Sequence, residues 1–447
     1  MSLQLAKEEG AYAAAFRALP QKLGKDEPSW LRHAREDAFA RFERIGFPSV
    51  KEEEWKYTNV APIAKLQFTP ALAGATIVAS NNGFGSFVYD EVRHSQLVFV
   101  NGILQPGLSS LEALPAGVFV IDIGEALGLA QHGARIRQCF ERYETDNENG
   151  FTALNTALFS SGAFVFVPEG VTVKAPIHLQ FISASHNGDA PASFPRVLIA
   201  AEANSAATII ESYASLGESV YLTNAIVDVR LGAGAHLKHF KVQRESTSAF
   251  HVAATNAELG ANASYDSTAI NLGAALSRHT IDVVMDHEGA ECWVDGFYMV
   301  DGNQHTDTHS MIDHRQPHCS SQQLYKGILD GKSRAVFNGK VFVRHGAQQT
   351  VAQQTNKNLL LSNEARVDTK PQLEIFADDV KCAHGAAIGQ LEADEMFYLE
   401  SRGIRPELAR NLLTYGFAEE VIEKIKIDSI RRELDATVLN RLHAELD

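Results

Sequence analysis

An excess of positive charge and long apolar runs are both missing from this sequence. Its formal net charge is −15. Because binding to phosphates needs a basic surface, the sequence excludes nucleic acid as a main partner. No apolar run approaches the roughly 18 residues of a membrane helix, so we expect no membrane segment. Glu8 and Glu9 stand where a signal peptide would be apolar, and we therefore predict a cytoplasmic protein.

Cysteine is also scarce. The chain has only Cys139, Cys292, Cys319 and Cys382, and these lie far apart. In a large acidic chain without an export signal, such cysteines are expected to be reduced thiols and not a disulfide framework. Nothing in the sequence around Cys139, Cys292 or Cys319 indicates a role for them.

Two common motifs of catalysis and nucleotide binding are absent. The chain has no G-x-S-x-G turn for a nucleophilic serine. Gly331-Lys332-Ser333 resembles the end of a phosphate-binding loop, but Lys326 stands where that loop needs its first glycine. We therefore predict no nucleotide site, and any ATP chemistry belongs to another subunit.

Acidic residues allow one enzymatic alternative, a carbohydrate-active enzyme. Glycoside hydrolysis needs two carboxylates at a defined separation, and Asp282, Asp286, Asp295 and Asp301 are the candidates. This alternative also predicts export and an open groove lined with acidic and basic residues. Solvated acids on a regular β structure are the simpler interpretation, and we favour it.

A histidine-rich segment suggests zinc. It contains His305, His309, His314, His318 and Cys319, types of residue that bind this metal. On a strand, however, His305 and His309 would lie about 13 Å apart at roughly 3.3 Å per residue. Stacked polar side chains on neighbouring strands are the interpretation that we favour.

Both ends of the chain are predicted to be helical. Apolar residues recur at helical spacing over 11–19 and 30–45, and Gly46-Phe47-Pro48 ends the second helix. A strand at 97–100 and a helix over about 125–143 follow. After residue 390 we predict helices over 392–400, 406–415 and 418–434, with Gly416 as a helix exit.

The middle of the chain has the pattern of a repetitive β structure. Short apolar runs alternate with turns, and small-residue turn blocks begin at Gly232, Gly260 and Gly289. A period of about 28–30 residues without intervening helices favours a β-solenoid, with a β-sandwich as the alternative. We predict three parts: a mostly helical N-terminal domain with a short strand region (1–145), a β core (146–390) and a C-terminal helical domain (391–447). Because a solenoid would otherwise expose the edges of its terminal strands, we expect the two helical domains to cover its ends.

Cys382 and His384 are the strongest candidates for chemistry. They are two residues apart, so on a strand they point to the same face. Thiolate and imidazole suit iron–sulfur chemistry. The alternative is a buried cysteine that packs beside a hydrogen-bonded histidine. Two side chains cannot complete the ligand set of a cluster, so a partner must supply the rest.

Several stretches resemble the SufB/SufD family of iron–sulfur cluster assembly proteins. They read GFPSVKEEEWKYTNV, SSQQLYKGIL, GILDGKSRAVFNGK, VDTKPQLEIFADDVKCAHGA and FYLESRGI. The resemblance implies a mainly β fold, a right-handed parallel β-helix flanked by N- and C-terminal α-helical domains. It also implies a non-catalytic scaffold subunit of a SufB–SufC–SufD complex. Such a subunit pairs with SufB through the β-helix cores and binds the ATPase SufC through its C-terminal helical domain.

The resemblance also assigns a role to the Cys–His pair. It implies that His384, and less strongly Cys382, lies at the SufB interface and takes part in forming a nascent cluster with a SufB cysteine. The cluster is then a transient iron–sulfur cluster of the complex. The isolated chain is expected to hold no cofactor, and reduced flavin is a candidate ligand of the complex.

A SufB-like paralogue is the nearest alternative. SufB-like chains carry a cysteine in the stretch that here reads Thr355-Asn356-Lys357-Asn358-Leu359, and they resemble E-H-E-A over residues 381–385. This chain has neither feature, so the SufD branch is preferred. An exposed solenoid edge could also let the isolated chain form a homodimer.

Overall fold

A computed structural model describes residues 10–23, 27–72, 89–141, 149–185 and 188–442. Its helices are α1 Ala11–Leu23, α2 Ser29–Ile45, α3 Ala61–Lys65, α4 Ile123–Gly128, α5 Ala130–Glu141, α6 Gly150–Leu158, α7 Ala393–Ser401, α8 Pro406–Ile422 and α9 Asp428–Arg441. Within these ranges no helix is long and apolar enough to cross a bilayer.

The strands before residue 216 are β1 Thr69–Pro70, β2 Gln96–Val100, β3 Ile103–Leu104, β4 Phe119–Asp122, β5 Gly162–Val167, β6 Ile177–Ser183, β7 Pro191–Ser193, β8 Arg196–Ala201 and β9 Ala206–Ser215. The remaining strands are β10 Leu222–Leu231, β11 His236–Arg244, β12 Phe250–Leu259, β13 Ser264–Asn271, β14 Leu276–Met285, β15 Glu291–Val300, β16 His305–His314, β17 Ser320–Leu329, β18 Arg334–Val343, β19 Thr350–Leu360, β20 Arg366–Ile375 and β21 Val380–Gly389.

The strands from β5 onward form a β-solenoid of about eight turns. Sheet A runs β20-β18-β16-β14-β12-β10-β8-β5-β4, and sheet B runs β21-β19-β17-β15-β13-β11-β9-β6-β2-β3. Strands of successive turns pair in parallel, as in Leu222 with Phe250 and Phe250 with Leu276. Hydrogen-bonded side chains of neighbouring turns are 28 to 31 residues apart. The predicted solenoid and its period are confirmed, and the β-sandwich is excluded, because its sheets would be antiparallel.

A column of left-handed residues links sheet A to sheet B in successive turns. Asn204 and Asn262 have φ of 55° and 54°, and Gly234 and Gly289 have φ of 66° and 71°. The backbone N–H of each residue donates a hydrogen bond to the next turn. Asn204, for example, donates to the carbonyl oxygen of Ala233. Only glycine, and to a lesser degree asparagine, adopts this conformation readily. The small-residue turn blocks in the sequence are therefore these corners.

The solenoid interior holds buried charges as well as apolar side chains. Lys241 of sheet B lies 3.6 Å from Glu211 Oε1 and 2.8 Å from His251 Nε2 of sheet A. The other ring nitrogen of His251 lies 2.7 Å from Glu245 Oε2, and the Lys241 ammonium stands over the ring of Tyr213. Burial lowers the pKa of Lys241, although Glu211 and Glu245 oppose that shift. These charges are compensated by one another inside the core.

The N-terminal helices cover the outer face of sheet A. Phe164, Leu198, Leu222 and Phe250 of that face share one apolar cluster with side chains of α1, α2 and α6. Asn155 of α6 donates to two backbone carbonyl oxygens of the solenoid. The predicted helices over 11–19 and 30–45 and the stop at Gly46 are confirmed. The predicted helix over 125–143 is instead two helices, α4 and α5, and its last residues lie outside the described ranges.

A polar contact, here called the latch, joins the segment after α2 to sheet A. Thr58 donates to Asp307, and the Arg278 guanidinium donates to the carbonyl oxygen of Glu54 and to Asp307. His309 bridges the two acids, with Nδ1 3.2 Å from Glu54 and Nε2 3.1 Å from Asp307. Burial disfavours the charged ring, but the charge of Asp307 and the hydrogen bonds to Asp307 and Glu54 together outweigh burial and raise the pKa of His309. The hydrogen bond from His309 lowers the pKa of Glu54.

The C-terminal helices cover the outer face of sheet B. Ala418, Val421 and Ile422 of α8 and residues of α9 pack against Phe240 and Phe297. The predicted helix exit at Gly416 is wrong, because α8 continues to Ile422 and the break falls before α9. A glycine inside a helix costs about 1 kcal/mol relative to alanine. Burial of the following apolar side chains outweighs that preference.

The last turn of the solenoid is left open. Strands β20 and β21 end their sheets, and from Ala383 onward every residue of β21 is exposed. We expected the helical regions to cover the ends of the solenoid. At this end the structure differs: α8 and α9 lie against the side of sheet B, because the large apolar residues of that sheet face outward there. We call the β20–β21 end the open end.

The buried charge cluster predicts a large effect of removing one partner. We expect Lys241→Met to lower the free energy of unfolding by about 3–5 kcal/mol, because Glu211 would be left buried and unpaired. Chemical denaturation measures this. The double variant Glu211→Gln/Lys241→Met should recover most of the loss, and Lys238→Met, exposed on the same strand, is the control. A fully additive double variant would contradict the pairing.

The latch predicts a pH dependence. Because the folded-state pKa of His309 is raised, its stabilising contribution is complete below its ordinary pKa of about 6.5 and is lost as pH rises through the raised value. Hydrogen exchange of residues 53–58, corrected for intrinsic rates, should therefore lose protection above neutral pH. His309→Gln should remove this dependence. An unchanged profile in that variant would show that other groups control the segment.

Candidate functional site at the open end

The two candidate ligands lie on β21, the last strand of sheet B. Cys382 pairs in register with Ala352, and His384 pairs with Gln354. Alternation along the strand puts both side chains on the face that continues the solenoid interior. The next residues on this face are Ala386 and Ile388. The open end thus presents a thiol and an imidazole on one face, and the described part of the chain adds no further turn above them.

Cys382 is half-buried. It packs against a small apolar cluster that includes Val341, Val343 and Ala352. Burial raises the pKa of its thiol, and a backbone hydrogen bond from Ala352 only partly opposes that shift. The thiolate is the metal-binding form, so Cys382 is a weak ligand unless a cation displaces its proton. This agrees with the lower weight that the sequence gives it.

His384 is exposed, in contrast to the half-buried Cys382. Its neighbour Gly385 has open space where a Cβ would be, so the backbone beside the imidazole is also accessible. Across the described residues, no three His, Cys, Asp or Glu side chains are grouped so that they could hold a metal ion. Within the described residues, the open end therefore has a thiol and an imidazole but no complete metal site of its own.

Exposed apolar side chains surround the open end. Val351, Ile375, Phe376 and Ile388 belong to the last two turns or their corners, and each is exposed by more than a third. We call these four residues the apolar rim. Ile375 and Phe376 are adjacent exposed apolar residues at the end of β20, and exposed apolar patches mark interaction sites. The sequence alone did not single out these residues.

The histidine-rich segment has individual protein partners. Beyond the latch, His305 lies 2.9 Å from the Thr58 hydroxyl, and His314 lies 2.8 Å from Ser321 Oγ. His318 lies at a corner near Glu288, and the buried Cys319 thiol donates to the carbonyl oxygen of His287. These separate partners on neighbouring strands and corners are what the favoured interpretation, stacked polar residues, predicts.

The remaining cysteines and the Gly-Lys-Ser stretch have structural surroundings. Cys292 and Cys319 are buried, and they and Cys382 are free thiols; the Cys139 side chain lies outside the described part of the structure. Gly331-Lys332-Ser333 forms the corner between β17 and β18. Ser333 Oγ donates to the carbonyl oxygen of Asp330 there. As predicted, this corner joins two strands and is not the strand-to-helix turn of a phosphate-binding loop.

The candidate acids do not form one group. Asp282 and Asp286 line a cavity of about 690 Å³ between sheet A and the N-terminal helices, together with Trp55 and Arg278. Asp295 is on the other sheet, paired with Lys424. A cavity with acidic and basic residues is a feature that the carbohydrate-active alternative expects, but Arg278 is already paired with Asp307. The similarity of the chain to known proteins decides between the carbohydrate-active alternative and the SufB/SufD resemblance.

Two family models together match almost the whole chain. Residues 181–417 match the model described as SUF system FeS cluster assembly, SufBD core domain. Residues 6–179 match the SufBD protein N-terminal region. The first match covers the solenoid from β8 onward, including the open end, and most of α8.

Curated relatives agree with these matches. An iron–sulfur cluster assembly SufBD family protein of Synechocystis is 36% identical over 417 residues, which are 91% of this chain and 90% of that protein. SufD of Escherichia coli is 33% identical over 89% of this chain and 90% of its own length. SufD of Bacillus subtilis is 26% identical over 92% and 94%. The carbohydrate-active alternative is thereby set aside, and the chain belongs to the SufBD family of SUF-system iron–sulfur cluster assembly proteins, within which it is SufD-like.

Proposed function

We propose that this chain is the SufD-type scaffold subunit of a SufB–SufC–SufD complex and catalyses no reaction itself. The observation that carries the proposal is the pair Cys382 and His384 on the inward face of an uncovered last turn. A site with two ligands, open on one side, suits a role in which a second protein completes the ligand set. The cluster is then the cargo of the complex and not a resident cofactor.

Pairing with SufB is assigned to the open end. Burial of the apolar rim against a partner would remove apolar surface from water. The free edge of β21 also offers backbone groups for strand pairing. The edge of sheet A is less suitable. Arg366 and Phe376 donate their backbone N–H groups back to β18, so by alternation Pro371 occupies a position that faces the free edge, and proline has no N–H.

Assembly of the nascent cluster is assigned to His384 together with a SufB cysteine. The imidazole is exposed and needs no large rearrangement to meet iron. Cys382 is the auxiliary ligand, because its buried thiol must first lose a proton. Imidazole with thiolates is a known ligand combination for iron–sulfur clusters.

Binding of SufC is assigned to the C-terminal helical domain, and ATP hydrolysis to SufC. Helix α7 has no buried residue; Phe397 is 71% exposed and Tyr398 55%. Exposed aromatic side chains are typical anchors of protein interfaces. Helix α8 is in turn joined to the solenoid through ion pairs of Glu420 with Lys326 and of nearby Lys424 with Asp295.

The SufB-like alternative is less well supported. In the stretch where SufB-like chains carry a cysteine, Asn356 and Asn358 point into the core and hydrogen-bond to each other at 2.7 Å. No thiol is present there to receive sulfur. We further propose a cytoplasmic location, reduced flavin as a candidate ligand of the complex, and homodimers of the isolated chain through the open end when SufB is absent.

The first experiment measures iron and acid-labile sulfide in the complex purified after co-expression with SufB and SufC. We expect His384→Ala to lower cluster content by about tenfold or more, while the complex still forms. Cys382→Ser should lower it less, because its thiol is the weaker ligand.

The control for that experiment is His94→Ala, an exposed histidine far from the open end in sequence and on a different turn. Full cluster content in the His384→Ala complex would place the site within SufB alone. Failure of the wild-type chain to co-purify with SufB and SufC would contradict the scaffold assignment itself.

A second experiment tests the SufC surface. Phe397→Asp removes an aromatic anchor and adds a charge, so we expect the affinity for SufC to fall by about 2 kcal/mol, roughly thirtyfold in Kd. Titration calorimetry of the full chain with SufC measures this. Val220→Asp changes an exposed apolar residue on a solenoid corner and should have no effect. Equal weakening by both variants would argue against α7 as the docking element.

A further inference from the structure

A buried glutamine lies directly below His384. Gln354 of β19 is in register with His384 of β21, and its side chain is almost fully buried in the solenoid interior. Neighbouring parallel strands are about 4.8 Å apart. Gln354 is therefore the inward-facing side chain nearest in register to the candidate ligand.

The orientation of the Gln354 amide is fixed by its neighbours. Its Nε2 donates to Gln323 Oε1 at 2.7 Å, and Gln323 Nε2 in turn donates to Ser310 Oγ at 2.8 Å. Gly339 of sheet A faces the same amide nitrogen, and a Cβ at that position would overlap it. The nitrogen end of the amide is thus held towards the interior of the solenoid.

The other end of the amide has no hydrogen-bond partner. Gln354 Oε1 is buried, and within the described residues nothing donates to it. Leaving a buried acceptor unpaired costs about 1–3 kcal/mol. On the inward face of β21 the side chains are Cys382, His384, Ala386 and Ile388. The thiol is in register with Ala352, so the imidazole of His384 is the donor closest in register.

We propose that Gln354 is a positioning residue for His384. In this arrangement Gln354 Oε1 accepts a hydrogen bond from one ring N–H of His384, reached by rotation of the exposed imidazole about its side-chain bonds. That bond selects one neutral tautomer and turns the unprotonated ring nitrogen outward, where it can bind iron. The inference rests on the proposed role of His384 in cluster assembly.

This arrangement matches a general feature of metal sites. A ligating histidine usually donates its other ring N–H to a carbonyl or carboxylate, and loss of that partner typically lowers metal affinity or activity 10- to 100-fold. Here the acceptor is an amide oxygen held by hydrogen bonds that run from β19 to β17 and on to β16. An exposed imidazole without such an acceptor would populate both tautomers and several rotamers.

The first test examines the ring of His384 in the isolated full-length chain. Long-range ¹H–¹⁵N spectra of the ¹⁵N-histidine-labelled protein at alkaline pH report the tautomer, and His384→Asn assigns the signal among the 17 histidines. We expect one tautomer in the wild type, a mixture in Gln354→Met, and a single tautomer again in Gln354→Glu, whose carboxylate also accepts. Gln353→Met, exposed on the same strand, is the control.

The second test measures cluster content in the co-expressed complex. We expect Gln354→Met to lower iron and sulfide by about tenfold relative to Gln353→Met, with Gln354→Glu restoring most of it. An unchanged His384 spectrum in Gln354→Met would overturn the inference. So would normal cluster content in Gln354→Met when His384→Ala has none.

The two readouts separate this inference from the proposed function. If His384→Ala keeps its cluster, the assembly role of His384 fails, while the tautomer experiment still shows whether Gln354 holds the ring. If Gln354→Met disrupts folding, Gln354→Glu still decides the question. It keeps the acceptor and nearly the same volume, and Gln323 can reverse its amide to donate to the new carboxylate while the Ser310 hydroxyl donates to Gln323. A mixture of tautomers in that variant would contradict the role of Oε1.

Discussion

In-register parallel pairing of successive turns is the constraint on which the rest of the structure depends. Because each strand residue is paired with one 26 to 34 positions away in the next turn, every column of side chains keeps its direction through the whole solenoid. The inward-facing apolar columns form the core, and the helices pack against the outward-facing columns. The column that contains Gln323 and Gln354 ends at His384. A slip of one residue in any turn would exchange inward and outward faces from that point on.

The same constraint explains why polar groups are buried in the interior. A solenoid interior is narrow, and polar residues within it must satisfy one another or remain unpaired. Glu211, Lys241, His251 and Glu245 do so as a compensated cluster. The glutamine pair does so through an amide hydrogen bond, but Gln354 Oε1 has no donor within the described residues. In register, this oxygen lies next to the last turn, which no further strand of the described residues covers.

Much of the fold was predictable from local patterns, and the site only partly. The period of the corner residues predicts the solenoid, because glycine and asparagine at positive φ recur once per turn. The spacing of Cys382 and His384 predicts a shared face on any strand. The passage of α8 through Gly416 was not predictable, since burial of Val421 and Ile422 on sheet B decides it. The register that places Gln354 opposite His384 was not predictable either, because it depends on the pairing of strands 30 residues apart.

Strand β17 joins the two surfaces to which partners are assigned. On its outer face the Lys326 ammonium donates to the carbonyl oxygen of Phe417 and pairs with Glu420, both of α8. On its inner face, three residues earlier, Gln323 receives the hydrogen bond from Gln354. A strand bonded on both edges is stiff and moves as a unit with its neighbours. Displacement of α8 would therefore act on the same strand that orients the amide below His384, because both contacts share one short piece of backbone.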